Sequence, residues 1–283
     1  MSILGNQAAR FPTCHDNRKG RISLVGAGPG AADLLTLRAV RCLAEADIVF
    51  FDRLVDPEAL QYARPGARKV FVGKEVGAHS WPQARIDAAI TAAALTGLRV
   101  VRLKSGDPSI FGRAAEEIAA AKSHGIAVDI IPGVTAASAA AASLCAPLTE
   151  RGITDRVVLA TATCHPGDAP FDIADIARPG TTLVFYMAMK QLEALTGQLL
   201  AAGVAPDQPV TVATNIAKPG ERAVQTSVQR MSADCRDARL GNSGVIMLSL
   251  AKVVCKTGTQ MGDISAEPIP AAVRGQDPRY HAG

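Results

Sequence analysis

Lys104-Ser105-Gly106-Asp107-Pro108-Ser109-Ile110-Phe111-Gly112-Arg113 follows a run from Leu98 to Leu103 in which leucine and valine stand with a basic pair, and the chain is organised around it. The run is short and β-branched, with Gly97 before it and glycine and proline after it, which predicts a strand. Gly106 permits a close turn with no Cβ in the way, and Pro108 fixes φ and prevents the strand from continuing. Ala114 to Ala121 is predicted to be a helix, with Glu116 and Glu117 near its positive N-terminal end. A strand that ends in Gly-Asp and feeds a helix marks the edge where an open α/β sheet holds a ligand. The Asp107 carboxylate can accept hydrogen bonds from a hydroxyl or an ammonium, and Gly106 lets a ligand approach the backbone. A lone Gly-Asp-Pro is more often a tight turn with a solvated aspartate. The flanking sequence shifts that balance.

Upstream, Arg21 to Val25 is predicted as a strand, followed by the turn Gly26-Ala27-Gly28-Pro29-Gly30. Leucines and other apolar residues from Leu34 to Leu43 approximate helical spacing, with Asp33 or Thr36 as the cap, and Ile48 to Phe51 is the next strand. The turn matches G-x-G-x-x-A, and Asp52 lies about twenty residues on, which invites a dinucleotide reading. Pro29 counts against it, because it removes an N–H where a pyrophosphate wants donors. Lys69 to Val72 is a third strand, and Ser80-Trp81-Pro82-Gln83 reads as a capping box opening a helix to about Leu95. Ala127 to Ile131 is a further strand, and Pro132-Gly133-Val134-Thr135-Ala136-Ala137-Ser138 turns into an alanine-rich helix. This alternation argues a mostly parallel sheet.

From Asp155 the rhythm restarts. Strands are predicted at Arg156 to Thr161, Thr181 to Met187, Val210 to Thr214, Ala223 to Val228 and Val245 to Leu250, with a helix from Lys190 to Ala202 stopped by Gly203. The expected organisation is therefore an arm at 1–20, an amino-terminal α/β lobe at 21–137, a carboxy-terminal α/β lobe at 138–255 and a tail at 256–283, with a ligand cleft between the lobes.

The 283 residues are 48% hydrophobic, 20% charged and only 4% aromatic, which suits a soluble globular protein with an aliphatic core. A net charge of +4 fits an anionic small substrate and is too weak to argue for nucleic acid. The six cysteines are scattered without a C-x-x-C pair, so reduced thiols in the cytoplasm and no metal site are expected. Ile130 to Thr149 is uncharged, but its prolines, glycine and small residues point to a buried helix rather than a membrane span.

Taken together, these segments resemble the tetrapyrrole methylases, and within them the branch that acts on uroporphyrinogen III. The carrying residues are Val25-Gly26-Ala27-Gly28-Pro29-Gly30, Asp33-Leu34-Leu35-Thr36-Leu37, Asp52-Arg53-Leu54-Val55, Val72-Gly73-Lys74 and Arg102 to Pro108. Ile110-Phe111-Gly112-Arg113, Pro132 to Ser138, Pro147-Leu148-Thr149 and Tyr186-Met187 extend the match, which covers about Arg21 to Val254. The resemblance implies two α/β lobes in a homodimer. It implies methyl transfer from S-adenosylmethionine to carbons 2 and 7 of uroporphyrinogen III, giving precorrin-2 through precorrin-1. By similarity, Pro29, Ser105, Gly106, Asp107, Ile110, Thr135, Ala136 and Met187 would line the methyl-donor site, with Ile216 and Ala217 bordering it. Asp52 would be the general base and Lys74 a general acid.

The residues agree in kind with that chemistry. Methyl transfer from a sulfonium disperses charge, and a partly dry cleft that holds both reactants in line favours it. Attack by a pyrrole carbon leaves a proton to be removed, which gives a carboxylate such as Asp52 a task. The acceptor carries eight carboxylates, for which Arg53, Lys74, Lys104 and Arg113 are candidate partners. Other readings stay open. Ser105-Gly106-Asp107-Pro108-Ser109 is also similar to the relative that methylates precorrin-4. A paralogue that binds tetrapyrrole or methyl donor without turnover fits the replacement of family glycines by Ser105, Ala162 and Ile216. A nicotinamide-dependent oxidoreductase leaves Asp107 and the Pro-Gly-Val-Thr block unexplained.

Overall fold

Two five-stranded sheets organise the chain. The computed structural model describes residues 20–73, 81–162 and 172–252, and these belong to a single unit that ends at Lys252. The first sheet contains β1 (Arg21–Gly26), β2 (Ile48–Phe51), β3 (Arg68–Phe71), β4 (Arg99–Lys104) and β5 (Ala127–Ile131) in the order β3-β2-β4-β1-β5. Every neighbouring pair is parallel, as the alternation of strand and helix predicts. β4 is central, so the stretch that opens this account leaves the middle of the sheet at its carboxyl edge.

Helices cover this sheet because their apolar residues recur at helical spacing. In α1 (Leu37–Glu45), Ala39 and Leu43 are buried, and the Thr36 hydroxyl caps the helix by accepting the Ala39 N–H at 3.1 Å. α2 (Gln83–Leu95) buries Ile86, Ile90 and Ala94 beside Leu24 and Val100 of the sheet. The capping box expected at Ser80 lies outside the described residues, and the helix is described from Gln83 with Pro82 before it. The Gln83 amide donates forward to Asp87 at 2.7 Å, and Lys74 also lies outside the described residues. α3 (Ala114–Ser123) and α4 (Ala136–Ser143) follow β4 and β5.

The second sheet departs from the parallel expectation. It contains β6 (Arg156–Thr161), β7 (Thr181–Tyr186), β8 (Pro209–Thr214), β9 (Arg222–Ser227) and β10 (Gly244–Leu250) in the order β6-β7-β10-β8-β9. Only β6 and β7 are parallel; β10 runs antiparallel between β7 and β8, and β8 pairs antiparallel with β9. The physical reason is the short connection from β8 to β9 through Asn215–Glu221, which is too short for a parallel crossover and makes a hairpin. α5 (Ile173–Ile176), α6 (Leu192–Ala201) and α7 (Met231–Asp237) pack against this sheet around Phe185, Leu195, Leu199 and Met231. α4 is shorter than the uncharged stretch suggested. It buries Ala137 and Ala140 against Val184, Val245 and Ile216, so its small side chains join the two sheets closely. Among the described residues no helix is long and apolar enough to cross a membrane.

Candidate active site

Three loops at the carboxyl edge of the first sheet form one wall of a cleft, and backbone hydrogen bonds tie them together. Ala27 N–H donates to the Lys104 carbonyl at 2.8 Å. Gly106 N–H donates to Gly28 O at 2.7 Å, and Gly28 N–H donates back to Gly106 O at 3.3 Å. The third loop, after β5, is held by Asp107. Its Oδ2 accepts the Gly133 N–H at 2.9 Å, while Oδ1 accepts the Ser109 N–H at 2.8 Å and the Ser109 hydroxyl. Burial pushes the Asp107 carboxyl up, but these three donors outweigh it and hold the group below the ordinary aspartate value. Glycine is required where the loops meet. A Cβ on Gly133 would stand 2.2 Å from the Gly106 carbonyl oxygen, and one on Gly26 would stand 2.6 Å from Gly133 Cα.

The opposite wall comes from the second sheet: the chain leaving β7, the β8–β9 hairpin and the entry to β10. Tyr186 joins the walls. Its hydroxyl lies 2.6 Å from the Thr135 hydroxyl and accepts the Ala137 N–H at 3.0 Å, and its ring centroid is 5.2 Å from that of Phe111. Phe111, Met187 and Asn215 hold positive φ angles of 50°, 55° and 52° at this cleft. Such left-handed non-glycine residues cluster at ligand sites, where surrounding structure holds them in place. The cleft has a volume of about 720 Å³.

Most residues singled out in the sequence come together here. Pro29, Ser105, Gly106, Asp107, Ile110, Thr135 and Ala136 line the first wall; Met187 and Ile216 line the second. Ala217 stands behind that lining, its carbonyl accepting the Ala31 N–H at 2.6 Å and its N–H donating to Glu221. Arg53 is exposed and lines the cleft. Lys104 and Arg113 are not brought to it. The Lys104 ammonium points into the first lobe, 5% exposed, and is bonded to Glu117 at 2.7 Å. Arg113 precedes α3 with its guanidinium on Glu116 at 2.6 Å, facing solvent. Asp52 sits at the rim outside the lining, with Oδ2 on Arg102 at 3.1 Å and Oδ1 accepting the Leu54 N–H at 3.1 Å. Phe111, Tyr186, Lys190, Asn215 and Lys218 also line the cleft and were not assigned to it from the sequence. The pair Phe111 and Tyr186 stood inside motifs already recognised, whereas nothing in the spacing of Lys190 or Lys218 marks either as a cleft residue.

The first loop is poorly furnished for a pyrophosphate. The N–H groups of Ala27, Gly28 and Ala31 are spent on the protein's own carbonyls, and Pro29 has none. A Cβ on Gly30 would meet the Ala217 carbonyl oxygen at 2.3 Å, so the second lobe already covers the turn. Donor chemistry of another kind fits. Around Gly106, Thr135 and Ala136 the wall offers backbone groups, hydroxyls and a carboxylate but no lysine or arginine, which suits a cationic sulfonium.

The family model for tetrapyrrole (corrin/porphyrin) methylases matches residues 21–232. The chain belongs to this family. It is similar to the uroporphyrinogen-III C-methyltransferase of Pseudomonas aeruginosa, at 40% identity over 88% of this chain and 98% of that one. Among solved structures, the methylase fold of this chain matches a cobalt precorrin-4 methyltransferase with a TM-score of 0.72, at 27% identity over 82% of this chain and 94% of that one. It also matches the uroporphyrin-III C-methyltransferase of Thermus thermophilus complexed with S-adenosylhomocysteine, with a TM-score of 0.67, at 35% identity over 81% and 92% of the two chains. Siroheme synthases are matched over about half of their length, 52% in the case of the Klebsiella pneumoniae protein. Among the described residues, no group of three or more His, Cys, Asp or Glu side chains gathers to hold a metal ion.

Proposed function

We propose that this methylase transfers methyl groups from S-adenosylmethionine to carbons 2 and 7 of uroporphyrinogen III, giving precorrin-2. The observation that carries the reading is the cleft itself: a cation-free wall at Gly106-Asp107 and Thr135-Ala136, facing a mouth with three cations at Arg53, Lys190 and Lys218. The near full-length relative from Pseudomonas aeruginosa supports the choice of acceptor. S-adenosylmethionine supplies the activated methyl. Gly106 leaves open space beside its Cα, which gives the donor room against the backbone. Tyr186 and Phe111 close the base of the cleft, holding the reactants in line and excluding water. Calorimetry should show S-adenosylhomocysteine binding and no binding of a nicotinamide dinucleotide; the reverse pattern would end this reading.

Asp52 is proposed as the group that takes the pyrrole proton. Arg102 and the Leu54 N–H fix its carboxylate at the rim, and each oxygen keeps a lone pair for a further partner. Asp52→Asn is expected to slow single-turnover methylation about a hundredfold or more while leaving S-adenosylhomocysteine affinity nearly unchanged. Turnover at the wild-type rate would remove Asp52 from the chemistry. Lys74 as a general acid, a homodimeric state and a cytoplasmic setting belong to the same reading through the family likeness, and sedimentation at micromolar concentration tests the dimer.

A further inference from the structure

Lys218 occupies an unusual position. It is carried on the β8–β9 hairpin of the second sheet, and its ammonium crosses the mouth of the cleft to donate to the Leu54 carbonyl of the first lobe at 2.6 Å. Leu54 is itself fixed from the other side, because its N–H donates to Asp52. The Lys218 side chain is half-buried. Burial pushes its ammonium below the ordinary lysine value, Asp56 and Asp52 pull the other way, and Arg53 adds to the depression. No carboxylate lies within ion-pair distance among the described residues, so a desolvated cation rests on one neutral carbonyl. A half-buried cation whose carboxylates stand beyond direct contact gains from a partner that pairs with it.

The surrounding charge is one-sided. Arg53 approaches from the loop after β2 and Lys190 from the chain after β7, both exposed and both lining the same cleft as Lys218. The one carboxylate in that lining, Asp107, already holds Gly133 and Ser109. The three cations therefore face a mouth whose negative charge stands back at the rim, where Asp52 is held by Arg102 and the Leu54 N–H and Asp56 by the Glu58 N–H. An acceptor with carboxylates spread around its rim would meet Arg53 on one lobe and Lys190 and Lys218 on the other.

We infer that Lys218, with Arg53 and Lys190, determines specificity by recognising acceptor carboxylates across the two walls, Lys218 acting as the most desolvated of the three. This rests on the proposed acceptor class. A carboxylate that replaces or joins the Leu54 carbonyl gives Lys218 the counter-charge it lacks, and its low local exposure makes that pairing stronger than a surface ion pair. Acceptors with fewer carboxylates forfeit it and leave the cation unpaired.

The test uses uroporphyrin III, the stable fluorescent octacarboxylate, and coproporphyrin III, which has four carboxylates, titrated by fluorescence against the wild-type protein, Lys218→Met, Lys218→Arg and Lys190→Met. S-adenosylhomocysteine calorimetry is run on each protein. The wild type is expected to prefer the octacarboxylate. Lys218→Met should weaken octacarboxylate binding roughly ten- to a hundredfold and reduce that preference, with donor-product affinity within about twofold. Lys218→Arg should restore most of it, and Lys190→Met should show a smaller loss because that residue is exposed. Unchanged octacarboxylate affinity in Lys218→Met would overturn the inference. So would a parallel loss of donor-product and octacarboxylate affinity, which would make Lys218 only a tie between the lobes. If the wild type binds neither porphyrin but binds S-adenosylhomocysteine, the acceptor class itself is wrong, and that failure is separate from a failure of Lys218 alone.

Discussion

Gly133→Ala is expected to abolish measurable binding of S-adenosylhomocysteine. The added Cβ would lie 2.2 Å from the Gly106 carbonyl oxygen and 2.9 Å from Gly26 Cα, and all of these are backbone atoms that no rotamer change can move aside. Relief requires the β4 and β5 exits to separate. Separation stretches the Asp107–Gly133 hydrogen bond at 2.9 Å and the paired Gly28–Gly106 bonds at 2.7 and 3.3 Å. Overpacking of this kind costs about 1–3 kcal/mol in stability, occasionally more. The damage to the cleft should be larger, because the misplaced groups form the wall proposed to hold the donor. A loss of at least about a hundredfold in affinity corresponds to roughly 2.7 kcal/mol. Gly197→Ala is the control. Gly197 is an exposed residue of α6 with nothing within 4 Å of a new Cβ, so this change should stabilise the protein by about 0.5–1 kcal/mol and leave donor-product affinity alone. Calorimetry and urea unfolding on both variants separate the two effects. Normal binding by Gly133→Ala would mean that the three-loop junction is no part of the donor site.

Glu117→Gln should produce the largest loss of stability of any isosteric change in the described residues. Glu117 is fully buried at the fourth position of α3, facing β4. Its Oε1 accepts Arg102 Nε at 3.1 Å and its Oε2 accepts Lys104 Nζ at 2.7 Å, while Arg102 also reaches Asp52 at 3.1 Å. The two acids and two bases balance. Burial pushes the Lys104 ammonium below its ordinary value against the pull of Glu117, with Arg102 adding to the depression. Removing the Glu117 charge leaves two buried cations sharing only Asp52, and breaking a buried pair in this way costs about 3–5 kcal/mol. Urea unfolding measures it. The double variant Glu117→Leu with Lys104→Met should be markedly more stable than Glu117→Leu alone, since it removes a charge and its partner together. A cost below about 1 kcal/mol for Glu117→Gln would show that the network is not what holds α3 against β4.

That network also marks a limit of reading the chain by motif. Strand alternation alone puts Arg102 and Lys104 on one face of β4, and Glu117 is the first acidic residue of α3 that can turn inward. By motif Lys104 nonetheless reads as an acceptor contact, because a lysine in a strand-end motif reads as a surface charge until its partner, thirteen residues on, is known. The strands were legible in both halves because β-branched runs are bounded by glycine and proline. The direction of β10 was not, since its place between β7 and β8 depends on pairing across the sheet. The three-loop wall that is proposed to hold the donor was legible as a junction because its constraints are local: glycine where backbones touch, Asp107 where a carboxylate holds two turns. Of the cationic mouth only Arg53 was legible, because Lys190 and Lys218 come from distant segments and meet it only in the folded chain. The left-handed backbones of Phe111, Met187 and Asn215 likewise leave no compositional trace.

The most direct measurement is the mass of the product formed when the protein is incubated anaerobically with enzymatically generated uroporphyrinogen III and isotopically labelled S-adenosylmethionine. Two labelled methyl groups are expected on the tetrapyrrole, with a singly methylated species appearing first and then disappearing. A tetrapyrrole recovered without label, from protein shown in the same preparation to bind S-adenosylhomocysteine, would contradict this expectation.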